Sequence, residues 1–439
     1  MRILFIVPYT PNPIRVRPYE FVRALLRRGH AVTLATLWTS PAEQDDLNRL
    51  AQMGAHVLSE PMPAWQSARN SLAALPASTP LQAVYSWQPA LYRTLRTFVQ
   101  EQHFDAIHVE HLRGSRYGLE LLDHLQSSPT RPPVVWDSVD CISHLFAQAS
   151  AQSRSTKGKL MTRFELPRTE RYEARLIRTF DHTVVTSTID RAALLELARK
   201  HGGADGKSAN QPGSSAAPDV AAKVDVVPNG VDLEHFAYCG PEQRHPNRIV
   251  FSGKMSYHAN VTAALHLVDE IMPLVWAQRP DAEVWLVGKD PAPELRALAE
   301  KQPGTTGAPG GRVVVTGEVP AMQDYIQGAA VAVAPLLYGA GIQNKVLEAM
   351  ACGAPVVASP QASQSLAAVP GQDFLLASEP AAFAAAILAV LGSADLRAEL
   401  GRAGRRFVEK NHSWDSAVAQ LEGIYANCAA QIAPQPVNS

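Results

Sequence analysis

Residues 338–358, YGAGIQNKVLEAMACGAPVVA, combine a glycine loop, a short helix carrying one Lys and one Glu, and a buried strand. Gly339 and Gly341 let the backbone approach a ligand closely and leave N–H groups pointing outward. A helix starting just after them places its positive end at the same spot. Ile342 and Gln343 lie in that turn, and Lys345 adds a cation suited to a phosphate. Glu348 lies about 4.5 Å further along the axis on nearly the same face, within reach of a sugar hydroxyl. Gly353 and Pro355 end the helix, and an apolar run follows. The ligand implied has phosphates at one end and hydroxyls at the other. The plainer alternative is an ordinary helix–strand turn with a solvated Lys and Glu.

The elements that position these residues read as alternating strands and helices. Apolar runs at 3–7, 31–37, 106–109, 134–136 and 183–186 are strands, with a helix at 17–28 and a long basic helical region at 159–179 that Pro167 interrupts. Residues 202–222 are rich in Gly, Ala, Ser and Pro and read as a surface loop. After a strand at 223–227 a second alternating set begins. Its strands are 249–252, 283–287, 313–316, 331–335, 355–358 and 374–376, and its helices 258–278, 293–301, 321–328 and 343–352. Helices at 380–391, 394–409 and 413–430 close the sequence. Strand–helix–strand spacing of this kind makes parallel doubly wound sheets, whose ligands sit at the carboxyl ends of the strands.

A length of 439 residues suggests two domains. With 46% apolar and 18% charged residues and a formal net charge of -1, the composition is globular and shows no general attraction to nucleic acid. Cys141, Cys239, Cys352 and Cys428 are far apart, form no metal spacing, and read as reduced thiols. The opening apolar run is a strand in length, and no run is long enough to span a bilayer. Asp290 stands alone beside Lys289, so no metal site is expected there.

Together, the 338–358 segment, the Pro228–Asp232 sequence PNGVD, and Gly253-Lys254 directly after a strand resemble retaining glycosyltransferases of family 4, and the loop after the first strand, where Arg17 opens the first helix, resembles the subgroup associated with bacterial exopolysaccharide assembly. The resemblance implies the GT-B fold, two Rossmann-like α/β domains facing a central cleft. It implies an acceptor-binding domain over 1–222, a donor-binding domain over 223–412, and a last helix, 413–432, crossing back to the first. It implies no cofactor and no metal, with a UDP- or GDP-linked sugar as the donor substrate. On the donor side it assigns Gly253, Gly288, Glu318, Val319, Gly339, Gly341, Ile342, Gln343 and Glu348, with backbone at 317–319 facing the base and Glu348 holding the ribose. Lys254 and Lys345 would neutralise the departing diphosphate. The family's first Glu falls at Ala340, a departure that favours one alternative, a partner subunit that binds nucleotide sugar without turnover, and counts against the other, a sugar-nucleotide epimerase.

In the first domain, relatives carry a Gly-Gly pair after the first strand, and this sequence has Arg15 and Arg17 instead, which would meet the phosphates by charge. Where relatives show His-x-His, this sequence has His108, Glu110 and His111, and either Glu110 or His111 could reach the site as a catalytic group. Asp137 and Asp140 close another strand as an acidic pair for acceptor hydroxyls or base catalysis, with helix capping as the alternative. The basic stretch 154–178 fits either a solvated helix or a contact with an anionic membrane, against which Glu165, Glu170 and Glu173 count. The expected activity is transfer of a hexose, with retention, to a glycan or lipid-linked hydroxyl in cell-surface polysaccharide synthesis. The expected location is the cytoplasm, including the inner face of the membrane.

Overall fold

The computed structural model describes residues 1–126, 128, 130–152, 156–202, 220–300, 312–339 and 342–432. Most of the expected 202–222 loop, together with Ala340 and Gly341, lies outside them. The chain divides into two compact units: Met1–Pro228 with the segment from Trp414, and Asn229–Ser413.

The N-terminal unit opens with β1 (Arg2–Val7), α1 (Val16–Arg27), β2 (Ala31–Trp38), α2 (Pro41–Gln52) and β3 (His56–Pro61). Three helices follow, α3 (Ala64–Ala74), α4 (Leu81–Tyr85) and α5 (Pro89–Glu101), before β4 (Ala106–Glu110), α6 (His111–Leu125) and β5 (Val134–Val139). Then come α7 (Ile142–Gln152), α8 (Thr156–Thr179), β6 (His182–Val185), α9 (Thr188–Lys200) and β7 (Val224–Val226). The strands are all parallel in the order β3-β2-β1-β4-β5-β6-β7. Strand β1 shows why its sequence is a continuous apolar run. Ile3, Phe5 and Val7 join one core with Phe21 and Leu25 of α1, while Leu4 and Ile6 join the core on the other face with Leu91, Leu121 and Trp136.

The C-terminal unit holds β8 (His245–Ser252), α10 (His258–His266), α11 (Met272–Trp276), β9 (Glu283–Val287), α12 (Pro293–Glu300), β10 (Arg312–Val315) and α13 (Met322–Gln327). It continues through β11 (Ala329–Ala334), α14 (Asn344–Ala351), β12 (Val356–Ala358), α15 (Pro360–Ser363), β13 (Leu375–Leu376), α16 (Pro380–Gly392) and α17 (Ala394–Asn411). The single helix expected over 258–278 is broken by a π-turn, Leu267–Ile271, just before Pro273, whose missing N–H cannot continue the α ladder. The strand order β10-β9-β8-β11-β12-β13 repeats the topology of the first sheet, again all parallel. In each sheet the order reverses beside the first strand, between β1 and β4 and between β8 and β11. The carboxyl ends at that reversal are where an open α/β sheet binds ligands.

The final helix, α18 (Trp414–Ile432), belongs to the N-terminal unit. Trp414, Leu421 and Tyr425 are buried against β1 and α1, and Trp414 meets the Phe21 ring edge-on at 5.5 Å. Arg28 donates two 2.7 Å hydrogen bonds to Glu422 at the rim of this contact.

At the carboxyl ends of β8 and β9 the backbones touch. A Cβ on Gly288, at φ +150°, would lie 1.7 Å from the carbonyl oxygen of Gly253. Replacing Gly288 with Ala is therefore expected to cost about 2–4 kcal/mol of stability. Urea unfolding checks this, and a loss under about 0.5 kcal/mol would show that the two loops part freely.

Candidate functional site

In the C-terminal unit, the turn after β8 and the helix after β11 converge on Gly253. The Lys345 ammonium donates to Asn260 Oδ1 and sits 4.5 Å from the centroid of the Phe251 ring. A Cβ on Gly253, whose φ is +141°, would lie only 3.3 Å from Lys345 Nζ, so the missing side chain leaves the ammonium facing this turn. Asn260 Nδ2 donates to the carbonyl of Lys254 at 2.9 Å, so one amide holds both lysine positions. Lys254 itself is exposed on the same turn.

Burial pushes the Lys345 ammonium down to about 7, with Glu348 opposing the shift. Burial pushes Glu348 up to about 7, with Lys345 opposing. Both groups keep partial solvent access. They therefore form a poised pair rather than a fixed ion pair, and a polyanion arriving at the lysine would favour its charged form.

The loop between β11 and α14 is anchored at both sides. Tyr338 stacks on His258 and shares a 2.7 Å hydrogen bond with its Nδ1. Asn229 Nδ2 donates to Asn344 Oδ1 at the start of α14 at 3.1 Å. Ile342 is buried there, and a Cβ on Gly339 would meet the Gln343 amide at 3.2 Å. Gly253, Lys254, Gly288 and Lys345 thus come together. Gly339, Ile342 and Gln343 lead into the same helix, and Glu348 follows one turn on. Glu318 and Val319 follow Gly317, at φ +73°, after the edge strand β10. Gly341 falls outside the described residues.

In the N-terminal unit the residues at the sheet reversal are uncharged by environment. Glu110 ends β4 only 1% exposed, and Tyr9, from the loop after β1, donates to its Oε1 at 2.8 Å. Glu110 Oε2 is buried with no hydrogen-bond partner. Burial first and Asp137 second push this carboxyl up to about 8, against Tyr9, Arg17 and Arg15. His111 opens α6 at φ +62°, and burial followed by Arg113 pushes its imidazole down to about 3, so it is neutral at physiological pH. Val139, at the end of β5, has φ +65°. Two non-glycine residues in the left-handed region at adjacent strand ends mark a strained rim of the kind found at functional sites.

The structure gives Arg17 and Asp137 a different place from the phosphate or acceptor side expected for them. Arg17 is 4% exposed, donates from Nε to Asp137 at 2.8 Å and from Nη1 to the carbonyl of Val227 at 3.0 Å. Asp137 is fully buried and also faces His108 Nε2 at 3.5 Å. Asp140 accepts from Thr186 at 3.3 Å, and burial, then Asp190, pushes it up to about 7. None of Asp137, Ser138 or Asp140 caps α7. Glu173 of α8 accepts from the Ile142 and Ser143 amides at 2.8 and 3.1 Å. Arg15 is partly exposed, with its guanidinium 5.0 Å from the Tyr9 ring centroid and 3.1 Å from Glu43.

Sequence reasoning missed Asn260, His258, Tyr338 and Tyr9. Tyr9 and Tyr338 carried a local signal, since each sits two or three residues past an expected strand, and Tyr338 opens the 338–358 segment. Among the described residues, no group of three or more His, Cys, Asp or Glu is placed to hold a metal ion.

Residues 14–202 match the family described as a glycosyl transferase 4-like domain, and residues 246–393 match glycosyl transferases group 1. No curated protein matches the chain. Several solved structures share the fold over nearly the whole length. Anabaena HepE, solved with UDP and glucose, is 14% identical with TM-score 0.62, covering 97% of this chain and 100% of its own. Sucrose-phosphate synthase from Thermosynechococcus elongatus is 18% identical with TM-score 0.64, covering 98% and 99%. WaaG, a glycosyltransferase involved in lipopolysaccharide biosynthesis, is 15% identical with TM-score 0.56, covering 98% and 99%.

Because Arg17 is half of a buried ion pair, Arg17→Met should destabilise the protein by about 3–5 kcal/mol, with nucleotide affinity of the folded fraction retained. Denaturant unfolding and nucleotide titration read the two effects separately. Unchanged stability with lost affinity would return Arg17 to the phosphate.

Proposed function

We propose that this chain, a glycosyltransferase of the GT-B fold, transfers a hexose from a nucleoside diphosphate sugar to a hydroxyl of a glycan or lipid-linked acceptor, with retention of configuration, in cell-surface polysaccharide synthesis. The convergence of Lys254, Lys345 and the Gly253 turn at the sheet reversal of the C-terminal unit carries this reading. HepE, solved with UDP and glucose, and WaaG, with its role in lipopolysaccharide biosynthesis, support the donor and acceptor classes by analogy. The bond from the anomeric carbon to the diphosphate oxygen breaks, and a bond to the acceptor oxygen forms on the same face. The acceptor's proton passes to the departing diphosphate. Lys345 and Lys254 stabilise the charge that develops on the leaving group. Glu348, with partial solvent access, binds ribose hydroxyls. In the N-terminal unit, Glu110, held protonated at neutral pH, and the neutral His111 hydrogen-bond sugar or acceptor hydroxyls.

A thermal-melt panel with UDP, GDP, ADP and dTDP tests the donor site. A ligand at a hundred times its dissociation constant adds about 2.7 kcal/mol of stability. No shift with any nucleotide would leave no working donor site. Introducing Glu at Ala340 separates an active enzyme from a binding subunit without turnover: a large gain in turnover marks a degraded site, a loss marks a differently shaped sugar pocket.

The Lys345 pKa supplies a signed pH dependence. The free ammonium titrates at about 7, and a bound diphosphate raises that value, so affinity is full below pH 7 and falls as pH rises through it. Ionisation of Glu348 over the same range adds to the fall. Lys345→Met should cost about 1.5–3 kcal/mol of nucleotide affinity and remove most of the slope, as calorimetric titration across pH would show.

The Tyr9 hydroxyl opposes the raised pKa of Glu110, so Tyr9→Phe should move the alkaline limb of turnover, expected near pH 8, upward by up to about one unit. Glu110→Gln keeps a neutral donor and should retain turnover while losing that limb. Loss of turnover in Glu110→Gln would instead make the ionised carboxylate a base.

A further inference from the structure

Helix α3 is amphipathic in the wrong sense for a surface helix. Apart from Ala74 near its end, what it buries is polar: Gln66 and Ser67 are each 4% exposed, and the half-buried Asn70 is tied inward by 3.1 and 2.8 Å hydrogen bonds with Gln66 and the carbonyl of Trp87. Its outer face is apolar. Trp65 is 63% exposed and Leu72, two turns on along the same face, is 67% exposed, with Leu75 exposed just past the end. Arg69 lies between them with its guanidinium 5.7 Å from the Trp65 ring centroid, and the helix contains no acidic residue. An outward Trp, two Leu and an Arg make a face that water does not favour and a partner must cover.

The neighbouring helix supplies charge. Arg163, Phe164, Pro167, Arg171 and Arg175 are exposed on α8 at helical spacing, and Arg168 lies 4.0 Å over the Phe164 ring. The glutamates that argue against a membrane contact in the sequence are turned away from this stripe or neutralised. Glu165 is buried and accepts from the Leu81 amide at 2.8 Å, Glu173 is buried at the start of α7, and Glu170 pairs with Lys200 at 2.7 Å. Arg168 also donates to the carbonyl of Leu75 at 2.7 Å, which joins the end of α3 to the stripe. The result is one surface of exposed Trp, Leu and Phe interleaved with arginines.

We infer that this surface of α3 and the outer stripe of α8 docks on an anionic phospholipid bilayer. Trp and Phe seat at the headgroup level, Leu72 and Leu75 enter the acyl boundary, and the arginines meet lipid phosphates. The contact is peripheral: no single described helix is long and apolar enough to cross a membrane. The inference concerns lipid alone and stands apart from the transfer reaction.

Co-sedimentation of the full chain with phosphatidylcholine vesicles, with and without phosphatidylglycerol, tests it, with sedimentation velocity to follow mass. The expected result is binding to the anionic vesicles at least about tenfold tighter than to neutral ones, weakened by salt. Trp65→Ser with Leu72→Ser should lose about tenfold of that binding, and Arg163→Gln with Arg171→Gln should lose several-fold together with the salt sensitivity. All four positions are exposed, so unchanged circular dichroism and melting temperature confirm intact folding. The proposal is overturned if the wild type ignores anionic vesicles or if the variants bind as it does. It is equally overturned if the serine variant only converts a dimer to a monomer, which would make a second copy the occupant.

Discussion

The N-terminal unit depends on one buried ion pair, Arg17 with Asp137. Two ions taken out of water are costly, and they are tolerated only where geometry and further hydrogen bonds satisfy them. Here Asp137 also faces His108, and His108 shares a 2.8 Å hydrogen bond with Tyr425 while stacking on Phe5 at 4.1 Å. Arg17 reaches the carbonyl of Val227 and lies over the Phe21 ring. Five separate stretches of sequence, α1, β4, β5, the end of the first half and α18, are registered against one carboxylate. Desolvation raises the carboxyl and Arg17, then His108, lower it, and the balance holds Asp137 below the ordinary range. That fixed negative charge is in turn one reason Glu110 remains protonated. The scaffold and the candidate site are thus electrostatically one object within this unit.

The two sheets share a strand order, yet they use the reversal differently. In the C-terminal unit it presents ammonium groups, a glycine turn and a helix start, a surface that gains from a polyanion. In the N-terminal unit it presents a protonated carboxyl, a neutral imidazole and a phenol, groups that exchange hydrogen bonds with hydroxyls without requiring counter-charge. The same topology therefore supports two kinds of recognition, set by which side chains stand at the strand ends.

How much of this was legible follows from where each signal resides. Strands such as β1 and β11 are buried on both faces and announce themselves as apolar runs. Strand β3, HVLSEP, has no fully buried position and no comparable pattern, so it was not read. Helix α3 was also missed, because it buries its polar face. Lys345 and Glu348 were read correctly as neighbours because helical spacing is local. The partner of Lys345, Asn260, lies 85 residues away, and that of Arg17, Asp137, lies 120 away. No local pattern encodes such pairs, so Arg17 read as a phosphate ligand. The break in the helix over 258–278 was announced by Pro273, whose consequence, a π-turn, depends on packing.

The placement of α18 has a consequence for how the protein is made. The Phe5, Val7 and Phe21 face of the first sheet is covered by residues from Trp414 onward. The pairing of His108 with Tyr425 spans 317 residues. At ordinary elongation rates of about 5–20 residues per second, that separation is roughly 15–60 s of synthesis. The unit that emerges first is the last to be sealed, and the intervening one, whose described core residues all lie within Asn229–Ser413, can finish while its elder neighbour waits with a bare hydrophobic face. During translation this chain offers chaperones a binding surface that the finished protein does not possess.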